Sequence, residues 1–439
     1  MKYPTVTSLF IAVAMLLIAG CSSPASAPTA TSVPASATKE QVKAGTTETS
    51  VPKASPTAEP AATKAATTTG STPVKATATA SSSTSSAGSG VPVAGEVVRM
   101  KSPEAGVQVF LWGNPNIGRD LKLAKDAGFT WVKQMFQWNF IERDGKGQFL
   151  WNEPDRLVKP INDMGLKLVA RLDYQPKWAR KDGAHNGPPD NLQDFGDFVY
   201  ALVSRYKTGS PYGTIQAYEI WNEPNLSREW GDKTPNAAEY VQLLKTAYLA
   251  AKKADPKAVI VSAGLTPTGT TSPEARPDDI FLDEMYKAGA KDYFDVLGVH
   301  AAGYKAPPEM SPDEIASRKD LGGQRFFGFR RVEDLRKIMV ANGDERKQVM
   351  VLEMGWTTDN RQGSPYAWHA VTEQEKGEYI VRAYQYAQKN WSPWIGAMNT
   401  IYISDPNWTA KDEQYYWSLT DPDGKPRLSY DIVKGKLPQ

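Results

Sequence analysis

The stretch GFTWVKQMF (residues 128–136), with EPDRLVKPINDMG (153–165) and LKLVARL (166–172) behind it, decides the fold of this chain. The first and last pieces are dense in apolar side chains, as strands buried on both faces require. The middle piece has the period of an amphipathic helix and stops at Gly165, where a left-handed residue commonly ends one. Gly128 holds the same place after the helical stretch Gly118–Ala127. Strand, helix and strand at this spacing form a crossover unit, and crossovers make neighbouring strands parallel.

The same alternation extends in both directions from about residue 97. Strand-like runs occupy 107–112, 129–136, 166–172, 214–221, 258–265, 294–301, 348–354 and 395–403. Helical patterns cover 118–127, 153–164, 192–206, 236–253, 280–288, 329–341 and 373–389. If the tail after Tyr402 supplies the last helix, eight strands each precede a helix, which predicts an α/β fold closed as a (β/α)₈ TIM barrel. An open doubly wound sheet would usually show a glycine-rich first turn for a nucleotide, but the first strand runs into WGNPNIG (112–118).

Composition divides the chain into three parts. Residues 1–20 carry one lysine and an apolar run from Leu9 to Gly20, too short to span a bilayer but suited to a signal peptide. The ending LIAGC resembles a bacterial lipoprotein signal, which makes Cys21, the only cysteine, the expected site of lipidation. Residues 21–96 are mostly Ser, Thr, Ala and Pro, with too few large apolar groups to offset the entropy of ordering them, and are expected to form a disordered linker. The folded domain is then 97–439, which holds all thirteen tryptophans and has no disulfide. These features predict an extracytoplasmic, lipid-anchored monomer whose only membrane contact is through Cys21. With 51 basic and 49 acidic residues the net charge is +2, and nothing points to nucleic acid.

The tetrapeptide WNEP occurs at 151–154 and again at 221–224. The first copy follows a polar turn and opens a helix, so Asn152 reads as an N-cap, Glu153 as a first-turn acid and Pro154 as an early helical residue. The second copy emerges from TIQAYEI at the carboxyl end of the fourth strand, where barrel enzymes place their reactive groups. Glu353, in VMVLEMGW, ends the seventh strand across the mouth from Glu223. Two carboxyl groups that converge on one sugar can divide the work of cleaving a glycosidic bond, one protonating the departing oxygen and the other attacking the anomeric centre.

YEIWNEPNLSREW (218–230) with the helix after it, and LEMGW (352–356), resemble the two glutamate motifs of clan A glycoside hydrolases, most closely family 39 and relatives in family 5. The likeness spans roughly 105–432, and Leu352 stands where the clan commonly has Thr. It implies that Glu223 is the acid/base, Glu353 the nucleophile and Asn222 a ligand of the sugar 2-hydroxyl in a retaining O-glycosyl hydrolase. It also implies that the first WNEP is a structural helix start, and that His300 and Tyr304 after strand six touch the sugar or the nucleophile. Trp138 and Trp408 follow strands and are candidate platforms for the flat faces of sugars. His185, His300 and His369 are dispersed, with no metal-binding spacing, so no metal and no cofactor is expected. A poly- or oligosaccharide is the expected partner. A carbohydrate-binding lipoprotein without turnover, or a transglycosylase, would use the same residues.

Overall fold

The computed structural model describes residues 99–438 apart from 184 and 185. The expected signal peptide, Cys21, the linker and His185 lie outside the described residues. Eight strands are present: β1 Glu104–Gln108, β2 Trp131–Met135, β3 Lys167–Leu172, β4 Ala217–Ile220, β5 Val259–Ser262, β6 Leu297–His300, β7 Val349–Met354 and β8 Ile395–Thr400. They run parallel in the order β5-β4-β3-β2-β1-β8-β7-β6. A parallel bridge between Val261 and Val296 joins the two ends of that order, which makes the sheet a (β/α)₈ barrel.

The barrel helices are α1 Ile117–Ala127, α2 Asn152–Asp163, α3 Leu192–Arg205, α4 Ala237–Ala254, α5 Asp278–Lys287, α6 Arg331–Ala341, α7 Glu373–Asn390 and α8 Leu428–Val433. The tail thus supplies the last helix. Local chemistry sets several starts: Thr372 and Glu375 form a reciprocal capping box on α7, and Asn191 and Asn236 cap α3 and α4. Gly128 takes the left-handed conformation that closes α1.

Two local expectations need correction. The first strand occupies 104–108, not 107–112: the Val109 N–H still donates to Lys133 O at 2.9 Å, but Phe110 and Leu111 lie past the strand and stay buried, so the apolar run reports burial, and burial outlasts pairing. Helix α2 begins one residue early, with Trp151 at its cap and no side-chain cap bond. Asn152 is its first helical residue.

Two apolar layers hold the barrel. Trp131, Val169, Ala217, Val261, Val296, Met350, Leu352 and Ala397 fill the interior. A larger shell packs the outward faces of the strands against the helices. Above the interior plug, toward the carboxyl ends of the strands, the inward row turns polar: Lys133, Arg171 and Glu219 are all wholly buried there.

Candidate active site

The second WNEP leaves β4 through a kink. Trp221 has φ of 74° and Glu223 of 42°, both in the left-handed region where a side chain is strained. Packing over-determines that strain: Trp221 is buried against Phe195 and Trp230, and its ring nitrogen donates to the Glu229 carbonyl at 2.7 Å. Its backbone N–H donates to Leu172 O at 2.9 Å, and that of Glu223 to Gly264 O at 3.1 Å. With Trp221 turned outward, Asn222 and Glu223 both face the cup.

Glu353 arrives by a different device. Strict alternation in β7 would place Leu352 inside and Glu353 outside. The register against β6 slips, since Val299 pairs with Val351 but His300 with Glu353. Against β8 it slips too, with Val351 opposite Met398 and Met354 opposite Thr400. The extra residue in β7 is a bulge, and it lets Leu352 plug the barrel while Glu353 turns into the cup.

His300 closes the triangle. Its Nδ1 lies 3.0 Å from Glu223 Oε1 and 3.9 Å from Glu353 Oε2. One ligand atom from each of the three residues lies within 4.8 Å of the others. The ring packs so closely on β5 that a Cβ at Gly264 would stand 2.1 Å from its Cδ2. Among the described residues this is the set of acidic and histidine side chains that could hold a metal ion. The positive charge such an ion would bring is already supplied: Lys133 Nζ is 3.2 Å from Glu353 Oε1, and Arg171 Nη1 is 3.6 Å from it.

Burial by itself would raise both carboxyl groups. In Glu223 burial is outweighed by the interaction with His300 and the charge of Arg228, which hold the group below the usual range. In Glu353 the charges of His300 and Lys133 outweigh burial and the repulsion of Glu223.

Comparison with known proteins agrees with this geometry. Residues 89–287 match the family model described as Cellulase (glycosyl hydrolase family 5). The matched segment is similar to clan A of the glycoside hydrolases. A β-xylosidase of Geobacillus stearothermophilus is 27% identical to this chain over 128 residues, covering 26% of this chain and 25% of the relative. The chain therefore spans about a quarter of the length of that curated relative. Among solved structures, a family 39 glycoside hydrolase from Bacteroides cellulosilyticus WH2 superposes with a TM-score of 0.55 at 21% identity, over 78% of this chain and 65% of that one. A monomeric β-xylosidase from Caulobacter crescentus CB15 gives 0.53 at 18% identity, over 76% and 69%. At such identities these two matches establish the shared fold.

Of the residues singled out from the sequence, Asn222, Glu223, His300 and Glu353 meet, with exposures of 1, 3, 3 and 6%. Tyr304 lies on the loop after β6, in an aromatic group with Phe327, Trp368 and His369. Burial holds its phenol above the usual range, with the charges of Asp278 and Glu223 adding to it. Trp408 is half-buried on the loop after β8, packed on Phe110 and Tyr402 at ring distances of 4.6 and 5.3 Å. Trp138 does not join the cup: it is fully buried among Trp178, Phe195 and Phe198, donates to Glu142 at 2.5 Å, and has no face to offer a sugar. Glu153, the first-copy glutamate, accepts from Gly113 N at 2.6 Å and Arg156 Nε at 2.8 Å, which accounts for it structurally.

Several site groups escaped sequence reading. Lys133 and Arg171 sit inside strand runs, where an isolated cation reads as an edge or a snorkelling side chain. Arg228, 3.2 Å from Glu223 Oε2, and Glu229, which burial pushes up to about 7, lie just past the motif. Glu413, pushed up to about 8 by burial, and Tyr402 come from the segment after β8, whose fold no pattern announces.

Proposed function

We propose that this chain is a retaining O-glycosyl hydrolase working by double displacement. The observation that carries the reading is the approach of one carboxylate oxygen of Glu223 to within 4.8 Å of one of Glu353. That is the close spacing associated with retention, about 5–5.5 Å between carboxyl groups, and not the roughly 6.5–9.5 Å that admits a water for inversion. In the first step Glu353 attacks the anomeric carbon while Glu223 gives its proton to the departing oxygen. Oε1 of Glu353 faces Lys133 and Arg171, so Oε2 is the attacking atom. Water then attacks the glycosyl-enzyme, Glu223 takes its proton and Glu353 is released. The proton taken from that water restores Glu223 for the next cycle, and His300, 3.0 Å away, holds its carboxyl group in place.

The matches named cellulase and β-xylosidase support a poly- or oligosaccharide substrate. The LIAGC ending supports lipidation of Cys21 and an extracytoplasmic site of action, with residues 21–96 as tether. Loss of lipid labelling in C21S would test the anchor.

The decisive measurement follows the anomeric configuration of the first product by proton NMR on an aryl glycoside taken from a panel. Glu353→Gln should abolish turnover on every substrate. Glu223→Gln should spare 2,4-dinitrophenyl glycosides, whose leaving group needs no proton, and should yield a glycosyl azide when azide is added. An inverted product, or full activity in E353Q, would overturn the assignment.

A further inference from the structure

The first WNEP opens a helix, but opening a helix does not require its tryptophan. Trp151 stands at the cap of α2 with no side-chain cap bond and its ring half-buried. The ring borders a cavity of about 490 Å³ between the start of α2, the end of α3 and the turn that leads to β4. Phe149 stacks on it at 5.0 Å, and Tyr212, 43% exposed, belongs to the same lining. Arg205 joins the aromatic groups, its guanidinium carbon 3.6 Å from the centre of the Tyr212 ring and 5.1 Å from that of Trp151. Asp155 fixes that guanidinium at 2.8 Å through Nε and at 2.6 Å through Nη2, and accepts from Tyr206 Oη at 2.6 Å. The aromatic faces are therefore set before a ligand arrives, which lowers the ordering cost of binding.

Flat aromatic faces suit the C–H faces of sugar rings. Trp151 Nε1, Ser204 Oγ and Tyr212 Oη have no hydrogen-bond partner among the described residues, and hydroxyl groups would supply them. Charge points the same way. Asp155 meets the charge of Arg205, and the lining cation with no ion pair among the described residues is Lys207, which is exposed. A single exposed ammonium does not make a site for a polyanion. Ten residues line the cavity, against the roughly 20–30 a side of a stable protein contact, while its volume suits a small molecule or a few sugar units.

We propose that this cavity is a second glycan site, outside the cup, that takes a neutral β-1,4-linked chain. Such a chain is a ribbon of equatorially substituted rings, so it offers a flat apolar face to the aromatic groups and a hydroxyl edge to the donors beside them. The cavity shares no residue with the cup, so its occupancy can be measured whether or not the cup cleaves a sugar.

The test follows the indole N–H signal of Trp151 by NMR as cellohexaose or xylohexaose is added to the full chain carrying Glu353→Gln, in which no turnover is expected. The signal is identified by its absence in Trp151→Phe. It should shift with at least one of the two, and Tyr212→Ala should raise the concentration needed about tenfold. Phe149→Ala should do the same, and it replaces Tyr212→Ala if that variant fails to fold. Hexagalacturonate should move the signal no more than the neutral chains do. A signal that neither neutral hexasaccharide moves, a response unchanged in both variants, or a stronger response to hexagalacturonate would overturn the proposal. So would a sedimentation coefficient that falls in Y212A, since the patch would then join copies of this chain. Absence of cleavage by the wild-type chain would count against the hydrolase reading alone.

Discussion

Removing the ammonium of Lys133 would leave Glu219 and Glu353 facing one another in a dry interior, because Nζ lies 3.0 Å from one and 3.2 Å from the other. Breaking a buried pair costs about 3–5 kcal/mol, so Lys133→Met should lower the unfolding midpoint, and adding Glu219→Gln should restore much of it. Activity should follow another course. The lysine charge lowers the Glu353 pKa, so the ionised form needed for attack persists further into acid; without it the folded value rises and the acid limb of kcat/KM moves to higher pH. At the pH optimum the loss should be about a hundredfold, as when one preorganised electrostatic partner is removed. A pH profile of K133M/E219Q whose acid limb matches the wild type would contradict this account. The glutamates themselves were legible in the sequence, since each follows an apolar run at a strand tip. Lys133 and Arg171 were not, because a buried charge shows itself only through the partners that neutralise it, and Glu219 and Glu353 lie 86 and 220 residues from Lys133; Asp173 is near Arg171 in the chain, but nothing local marks the two as a buried pair.

Among the elements, β4 and β7 each break their own alternation to aim a carboxylate. In β4 the device is a left-handed Trp221, and in β7 a bulge that admits Leu352 and Glu353 to the same side. Both sit where strand ladders end, so the barrel loses little pairing to them. The end of β5 contributes by what it lacks. Gly264 leaves room for His300, and a methyl there would meet the imidazole at 2.1–3.0 Å. Gly264→Ala should push the ring off Glu223 and cut kcat/KM by about tenfold or more, with an overpacking cost of about 1–3 kcal/mol. Thermal unfolding alongside kinetics would separate the two effects; unchanged kinetics would show that the ring has room elsewhere. Strand positions were readable from apolar density at all eight sites. Ladder edges were not, as β1 shows, because a buried residue has the same composition whether or not its backbone is paired.

The described residues form one barrel whose lower mouth is tied to the segment just before β1. Met100 N donates to Gln348 Oε1 at 2.7 Å, and Gln348 Nε2 returns a bond to Met100 O at 3.1 Å. A chain cut to 95–439 keeps that tie and should match the full protein in unfolding midpoint and in kcat/KM on a soluble aryl glycoside. A chain beginning at Glu104 loses the tie and should unfold at lower temperature. If the 95–439 chain were markedly less stable, the upstream residues would have a structural part that their composition does not suggest.

By itself the sequence determined the order of strands and helices, the closure into a barrel and the place of Glu223 and Glu353 at strand tips, because these depend on local period and on where a polar residue interrupts an apolar run. It also separated the two WNEP copies, since one opens a helix and the other ends a strand. Only the tertiary structure decided how near the carboxylates come, which cations face them, and that Trp138 is core while Tyr402 and Glu413 line the site. Those facts belong to contacts between strands far apart in the chain, where electrostatics acts through space and no local pattern records it.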